Sequence, residues 1–215
     1  MSVFATIGTD SRAKLLTTAE RLFARQGYAE ISTRQIAAAA GLNAALINYY
    51  FGSKQALYRE IFETRLEEIN FGLQQISWKP GPVKTKLNAF LNTHIERYRL
   101  NCDFQQLLFR EIAILSQSPM RSLVEKYLRQ NMQQLKAIVD EGVAAGQFKV
   151  VDASFFSLTI MSLMSLITCD PAIAELVTNS DKIRRHKANT ESIVNYVHRI
   201  LSVENTLNRK YGINP

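Results

Sequence analysis

Apolar residues recur at helical spacing along almost the whole of this chain, and few stretches alternate with the period of two that a half-buried strand needs. That pattern points to an all-α fold of about nine helices. Only five prolines and nine glycines interrupt 215 residues, and most stand where a helix should start or stop. Asp10 or Ser11 can cap a first helix whose stripe is Leu15, Leu16, Ala19, Leu22 and Phe23, ended by Gly27. Ser32 or Thr33 caps a short second helix over residues 34–40. Gly41 then makes a turn, and Asn43 caps a third short helix over residues 44–50. Ser53 opens a longer fourth helix running to about residue 76.

The segment from Trp78 to Pro82 is the clearest break in the chain. Beyond it, Leu87, Phe90, Leu91, His94, Ile95 and Tyr98 share one helical face. Asp103 can cap a helix carrying Phe104, Leu107, Leu108, Glu111, Ile112 and Leu115. Ser118-Pro119 starts a long helix to about residue 145, where Gly146 follows. Asp152 caps a helix over residues 155–168, Asp170-Pro171 begins a short helical turn, and residues 179–187 read as a loop. A last helix covers about residues 188–208.

Composition narrows the function classes. The apolar run from Phe155 to Ile167 is interrupted by Ser157, Thr159, Ser162 and Ser165. It is too short for a membrane span, which takes about 20 apolar residues. The N-terminus has neither a basic start nor a long apolar run, so no secretory signal and no membrane are expected. Cys102 and Cys169 stand alone, without metal spacing, and a cytoplasmic protein with no metal and no cofactor is expected. No Gly-rich phosphate loop, nucleophile with a base, or paired carboxylates at metal spacing are present, so catalysis is not expected. The formal net charge of +7 favours a polyanionic partner.

Three helices within 51 residues, the second and third joined through Gly41, have a helix-turn-helix layout. A recognition helix must be slim where it enters the major groove. It must also offer polar groups to base edges and be bracketed by phosphate ligands. Ala44 and Ala45 keep the leading edge small, and an alanine methyl can meet a thymine methyl. Asn48 follows one turn later, and its amide can read adenine bidentately. Tyr49, Tyr50 and Lys54 supply hydroxyls and a cation for phosphate, although either tyrosine could serve as packing. Thr33 and Arg34 open the second helix, where backbone N–H groups suit a phosphate. Asn43 is open to two uses, as a helix cap or as a base reader, and a capped N-terminus can still touch a phosphate. Phe51 reads as core. Within residues 1–54, Arg12, Lys14, Arg21, Arg25, Arg34 and Lys54 outnumber Asp10, Glu20 and Glu30.

These residues carry a family resemblance. Thr33-Arg34-Gln35-Ile36-Ala37, Ala40-Gly41-Leu42-Asn43 and Ile47-Asn48-Tyr49-Tyr50-Phe51-Gly52-Ser53-Lys54-Gln55-Ala56-Leu57 closely resemble the TetR-family DNA-binding domain. Ala19-Glu20-Arg21-Leu22-Phe23 and Gly27-Tyr28 match that family's first helix. Most members have Gly and Tyr where this chain has Ala45 and Asn48. The form here resembles a subgroup whose recognition helix reads Asn-x-Ala-x-x-Asn-Tyr.

The resemblance implies a helix-turn-helix domain over residues 1–54 and a ligand-binding and dimerisation bundle over 55–215. It also implies double-stranded operator DNA as partner and a homodimer formed through Asp152–Thr168 and Ala188–Leu207. The implied function is a transcriptional repressor released by an unidentified small, mostly apolar effector. An adaptor or activator of the same fold without an effector is the alternative.

Candidate effector residues are Phe90, His94, Tyr98, Arg110, Glu111, Tyr127, Phe156 and Met164. His94 on an apolar face can be a core residue or a ligand contact. Glu111 on the Leu107–Leu108–Leu115 face needs a partner, either an internal ion pair or a polar ligand head. Met161, Met164, Phe155 and Phe156 can line an adaptable pocket or pack in the core or a dimer.

Overall fold

The computed structural model describes residues 3–77, 81–169 and 186–202. Within them lie nine helices: α1 (Val3–Gln26), α2 (Thr33–Ala40), α3 (Ala45–Phe51), α4 (Lys54–Ser77), α5 (Val83–Leu100), α6 (Cys102–Ala113), α7 (Arg121–Ala144), α8 (Ala153–Cys169) and α9 (His186–Leu201). The only strand-like pairing among the described residues is a single antiparallel bridge, Phe148 with Ser202. The fold is all-α, as the helical periodicity requires.

Most ends follow their caps. The Asp152 carboxylate accepts from the Ser154 and Phe155 N–H groups, each at 3.0 Å, and opens α8. Ser53 Oγ accepts from the Ala56 N–H at 3.0 Å and opens α4. Ser118 Oγ takes the Met120 N–H at 2.9 Å just before α7.

Several boundaries differ from the sequence expectation, among them that of α7, which starts at Arg121 rather than at Ser118-Pro119. Helix α1 begins at Val3, so Asp10 and Ser11 lie inside it. A lone Gly8 costs a helix only about 1 kcal/mol and does not stop it. Helix α6 starts at Cys102, with Asn101 in the N-cap position, and Asp103 sits in its first turn, where its charge suits the helix dipole. Helix α9 starts at His186, taking the last two residues expected in the loop. It ends at Leu201, whose carbonyl accepts from the Lys149 N–H at 3.0 Å as the chain leaves the helix to pair with Phe148. The turn at Asp170-Pro171, the rest of the expected loop and residues 203–208 lie outside the described residues.

The chain divides into two compact units, residues 1–71 with 100–128, and residues 72–99 with 129–215. In the first, Leu15, Ala19 and Phe23 of α1, Ile36 and Ala40 of α2, and Ile47 and Phe51 of α3 are buried. Leu57, Tyr58, Ile61 and Phe62 of α4 and Phe104, Leu107 and Leu108 of α6 complete this core. An edge-on aromatic series runs through it: Phe23 to Tyr58 at 5.2 Å, Tyr58 to Phe62 at 5.1 Å, and Phe62 to Phe104 at 5.2 Å. Such pairs add about 0.5–1.5 kcal/mol each beyond their burial. Arg65 holds Glu20 at 2.9 Å, and Arg12 pairs with Glu60, so α4 is tied to α1 at two levels. Burial raises the Glu20 carboxyl above its ordinary range despite the attraction of Arg65.

The second unit buries Leu87, Phe90, Leu91, His94, Ile95 and Tyr98 of α5 together with Leu135, Ile138 and Val139 of α7. Phe156, Ile160 and Met161 of α8 and Ile193, Val197 and Leu201 of α9 belong to the same unit. Lys86 reaches Glu141 at 2.7 Å, and His198 Nε2 lies 2.6 Å from Asn88 Oδ1. Gly142 leaves a bare patch on α7 that the Phe148 ring covers; a Cβ there would overlap the ring.

Candidate nucleic-acid interface

The helix-turn-helix is built by short-range chemistry. Ser32, with φ −89° and ψ 159°, caps α2: its Oγ accepts from the Gln35 N–H at 3.2 Å, and Gln35 Oε1 accepts from the Ser32 N–H at 2.8 Å. This reciprocal box satisfies two donors. The N–H groups of Thr33 and Arg34 have no acceptor one turn back in a helix. They remain available to an anion, beside the half-buried Thr33 and exposed Arg34 side chains. Gly41, at φ +66°, ends α2 with its N–H on Ala38 O at 3.0 Å, while Leu42 N–H reaches Ala37 O at 2.9 Å. A left-handed residue here is what glycine accommodates at least cost.

Asn43 then acts locally. Its Oδ1 accepts from the Ala45 N–H at 2.8 Å, and the helix starts at Ala45, one residue later than expected. It continues through Phe51 to Gly52, whose N–H reaches Asn48 O at 3.0 Å. Ile47 and Phe51, four residues apart, are the buried face of α3. Ala45, Asn48 and Tyr49 are therefore left on the outer face, and Tyr49 is 78% exposed. Ala44 and Tyr50 are half-buried, and the Tyr50 ring lies 4.9 Å from that of Tyr49.

Lys54, the first residue of α4, has a more specific setting than a free surface cation. Its Nζ stands 4.3 Å from the centre of the Tyr28 ring and 5.9 Å from that of Phe23. Partial burial lowers its pKa, and the charge of Glu30 acts the other way. Lys14, in sequence only one of several cations, gains a definite place. Its Nζ lies 4.0 Å from where a Cβ on Gly41 would be, beside the turn. Arg12 lies over the Phe51 ring at 5.3 Å. Only a fold in which α1 crosses the helix-turn-helix brings these two residues there, so spacing alone does not single them out.

The expected effector residues fall in two groups. Phe90, His94 and Tyr98 line up on α5 in the second unit, with His94 4.4 Å from Phe90 and 6.0 Å from Tyr98 between ring centres. Phe156 is buried in the same unit. The Met164 side chain lies outside the described residues. Tyr127, Arg110 and Glu111 belong to the first unit, where Tyr127 is buried. Arg110 Nη1 donates to Phe23 O at 3.0 Å near the end of α1. Buried Glu111 takes the Tyr58 hydroxyl at 2.7 Å and the Ser118 hydroxyl as well, so two hydroxyls rather than a cation meet its charge.

His94 is buried, and its Nε2 has no hydrogen-bond partner among the described residues. Burial, reinforced by Arg97, pushes its pKa down to about 3. The folded state thus holds a neutral imidazole. The associated stability is complete above about pH 6.5, the unfolded value, and falls as pH drops toward the folded one. Between pH 7 and pH 5 the chain should lose about 2 kcal/mol from this group. His198, also lowered by burial, acts in the same sense. Urea unfolding at the two pH values should show a smaller loss for His94→Leu than for the parent. An equal loss in both would mean that His94 is not held neutral.

Comparison with known proteins accords with this layout. Residues 15–61 match the N-terminal model of the bacterial regulatory proteins of the tetR family, and residues 80–168 match a tetracyclin repressor-like C-terminal domain. The HTH-type transcriptional regulator YhgD of Bacillus subtilis is 21% identical over 161 residues, 75% of this chain and 84% of that protein. The regulator AcrR of Shigella flexneri is 30% identical over 136 residues, 56% of this chain and 60% of its own length. The crystal structure of the TetR-family regulator PfmR from Thermus thermophilus superposes with a TM-score of 0.69 at 25% identity, covering 89% of this chain and 96% of that one. No helix among the described residues is long and apolar enough to cross a membrane. With both family domains matched in order along one chain, the protein belongs to the TetR family of transcriptional regulators.

Proposed function

We propose that this chain is a cytoplasmic, homodimeric repressor that reads a palindromic operator and is released from it by a small, mostly apolar effector. The observation that carries the DNA half is the outer face of α3, where Ala45, Asn48 and Tyr49 stand exposed together while Ile47 and Phe51 anchor the helix. Asn48 suits adenine, and Ala45 suits a thymine methyl. Thr33, Arg34, Tyr50 and Lys54 bracket that face as phosphate ligands, and Asn43 and Ala44 set where the helix enters the groove. The recognition helix takes the form Asn43-x-Ala45-x-x-Asn48-Tyr49. Residues 1–54 do the reading and residues 55–215 dimerise and sense. That division is functional, since the first unit also needs Leu57, Tyr58, Ile61 and Phe62 for its core.

Exposed apolar side chains support the dimer. Phe155 is 70% and Leu158 53% exposed on α8, and Tyr196 is 50% exposed on α9. A second copy covering the 152–168 and 188–207 segments would take all three out of water. The double substitution Phe155→Asp/Leu158→Asp should leave a monomer by analytical ultracentrifugation, with operator affinity lowered by more than about tenfold because each half-site then binds alone. A variant that stays dimeric would move the interface elsewhere.

Buried Phe90, His94, Tyr98 and Phe156 support an apolar effector site in the second unit, with His94 Nε2 as a polar group able to orient a ligand. An effector bound in one state and not the other shifts the spacing of the two recognition helices away from the about 34–36 Å that successive major grooves require. Selection from random and genomic DNA tests the central claim. It should enrich a palindrome with half-sites one helical turn apart, and recovery of no common sequence would overturn it.

A further inference from the structure

We infer that Tyr28 is a positioning residue for DNA binding, its ring holding the Lys54 ammonium where an operator phosphate takes it. The inference rests on the reading of Lys54 as a phosphate ligand and adds a residue and a physical role to it.

Lys54 stands at the first position of α4, where a cation faces the positive end of the helix dipole. No described carboxylate forms an ion pair with it. What compensates is the face of Tyr28, 4.3 Å from Nζ, with Phe23 behind at 5.9 Å. A ring face attracts a cation through its quadrupole yet leaves the ammonium's donors open, so an arriving phosphate can bind without displacing a carboxylate. A lysine held in this way also gives up less side-chain freedom on binding.

The ring itself is fixed. Its centre lies 4.6 Å from that of Tyr58 and 5.5 Å from that of Phe23. Tyr58 is fixed in turn by its 2.7 Å hydrogen bond to Glu111. The turn that delivers Tyr28 is pinned as well: the Gly27 N–H reaches Phe23 O at 2.8 Å, and Arg110 donates to the same oxygen at 3.0 Å. Gly27, at φ +94°, brings the chain back toward α4. Tyr28 is thus a rigid platform between the end of α1 and the start of α4.

The test is a salt-series titration of the full chain on the palindrome recovered by selection, with Tyr28→Phe, Tyr28→Leu, Lys54→Ala and the Tyr28→Leu/Lys54→Ala pair. Tyr28→Phe keeps the ring face and should retain parent affinity. Tyr28→Leu keeps apolar volume alone and should weaken binding about two- to fivefold. In the Lys54→Ala background, Tyr28→Leu should weaken nothing further. Additive losses, or a Tyr28→Phe loss equal to that of Tyr28→Leu, overturn the inference while the phosphate role of Lys54 stands. A Lys54→Ala variant with parent affinity and salt slope overturns both together. Should Tyr28→Leu fail to fold, NMR of the parent decides. The Tyr28 ring current should move the Lys54 ε-methylene protons upfield both free and on the operator, and loss of that shift in the complex overturns the inference.

Discussion

Asn48→Ala is expected to weaken operator binding about thirtyfold or more, because each of the two half-sites loses a bidentate amide–adenine contact of roughly 1–3 kcal/mol. The salt slope should hardly change, because a neutral amide releases no counterions. The fold should tolerate the change: Asn48 is exposed on α3, and the bond that closes the helix there is made by its backbone carbonyl, which accepts from the Gly52 N–H. Alanine also favours the helix. Lys54→Ala makes the natural contrast, lowering the slope by about two, one for each half-site, and weakening all DNA sequences alike. Fluorescence anisotropy on the operator and a scrambled duplex separates the two effects. Equal losses of Asn48→Ala on both duplexes would mean that Asn48 is not a base reader.

Glu111→Ala is expected to cost about 2–4 kcal/mol of folding stability, because it strands two buried hydroxyls at once. One belongs to Tyr58, whose phenol burial and Glu111 together hold far above its ordinary range, so it remains a donor at every working pH. The other belongs to Ser118, which also accepts the Met120 N–H at the entry to α7. Tyr58→Phe removes one of these bonds and should cost about 1 kcal/mol. Glu111→Gln keeps an acceptor oxygen and should fall between the two. Urea unfolding at pH 7 orders the three. A loss below about 0.5 kcal/mol for Glu111→Ala would show that these bonds contribute little to the fold.

The contrast between these two residues shows what a sequence can disclose. The setting of Asn48 follows from residues in its own short stretch of chain, from Ser32 to Gly52. The Ser32–Gln35 box, Gly41 and the Asn43 bond to Ala45 are all local, so the helix-turn-helix and its outward face could be read from the sequence. Glu111 finds Tyr58 53 residues away, and Arg110 finds the Phe23 carbonyl 87 residues away. Periodicity marks Glu111 as buried and in need of a partner, yet nothing in its own helix says whether that partner is a cation, a hydroxyl or a ligand. The Tyr28 platform under Lys54 is hidden for the same reason. On α8, Phe155 and Phe156 are adjacent and equally apolar, and only the packing separates the exposed ring from the buried one. An exposed face here carries the same residue types as a face in the core.

The most direct measurement of the central claim is binding of the full chain to its selected palindrome and to a scrambled duplex of equal length across a salt series. A site-specific regulator of this design should bind the palindrome about a thousandfold or more tighter than the scrambled duplex, with log affinity falling linearly in log salt. Asn48→Ala should close most of that gap. Equal, weak binding to both duplexes, indifferent to Asn48→Ala, would contradict the operator-reading account and leave only the fold.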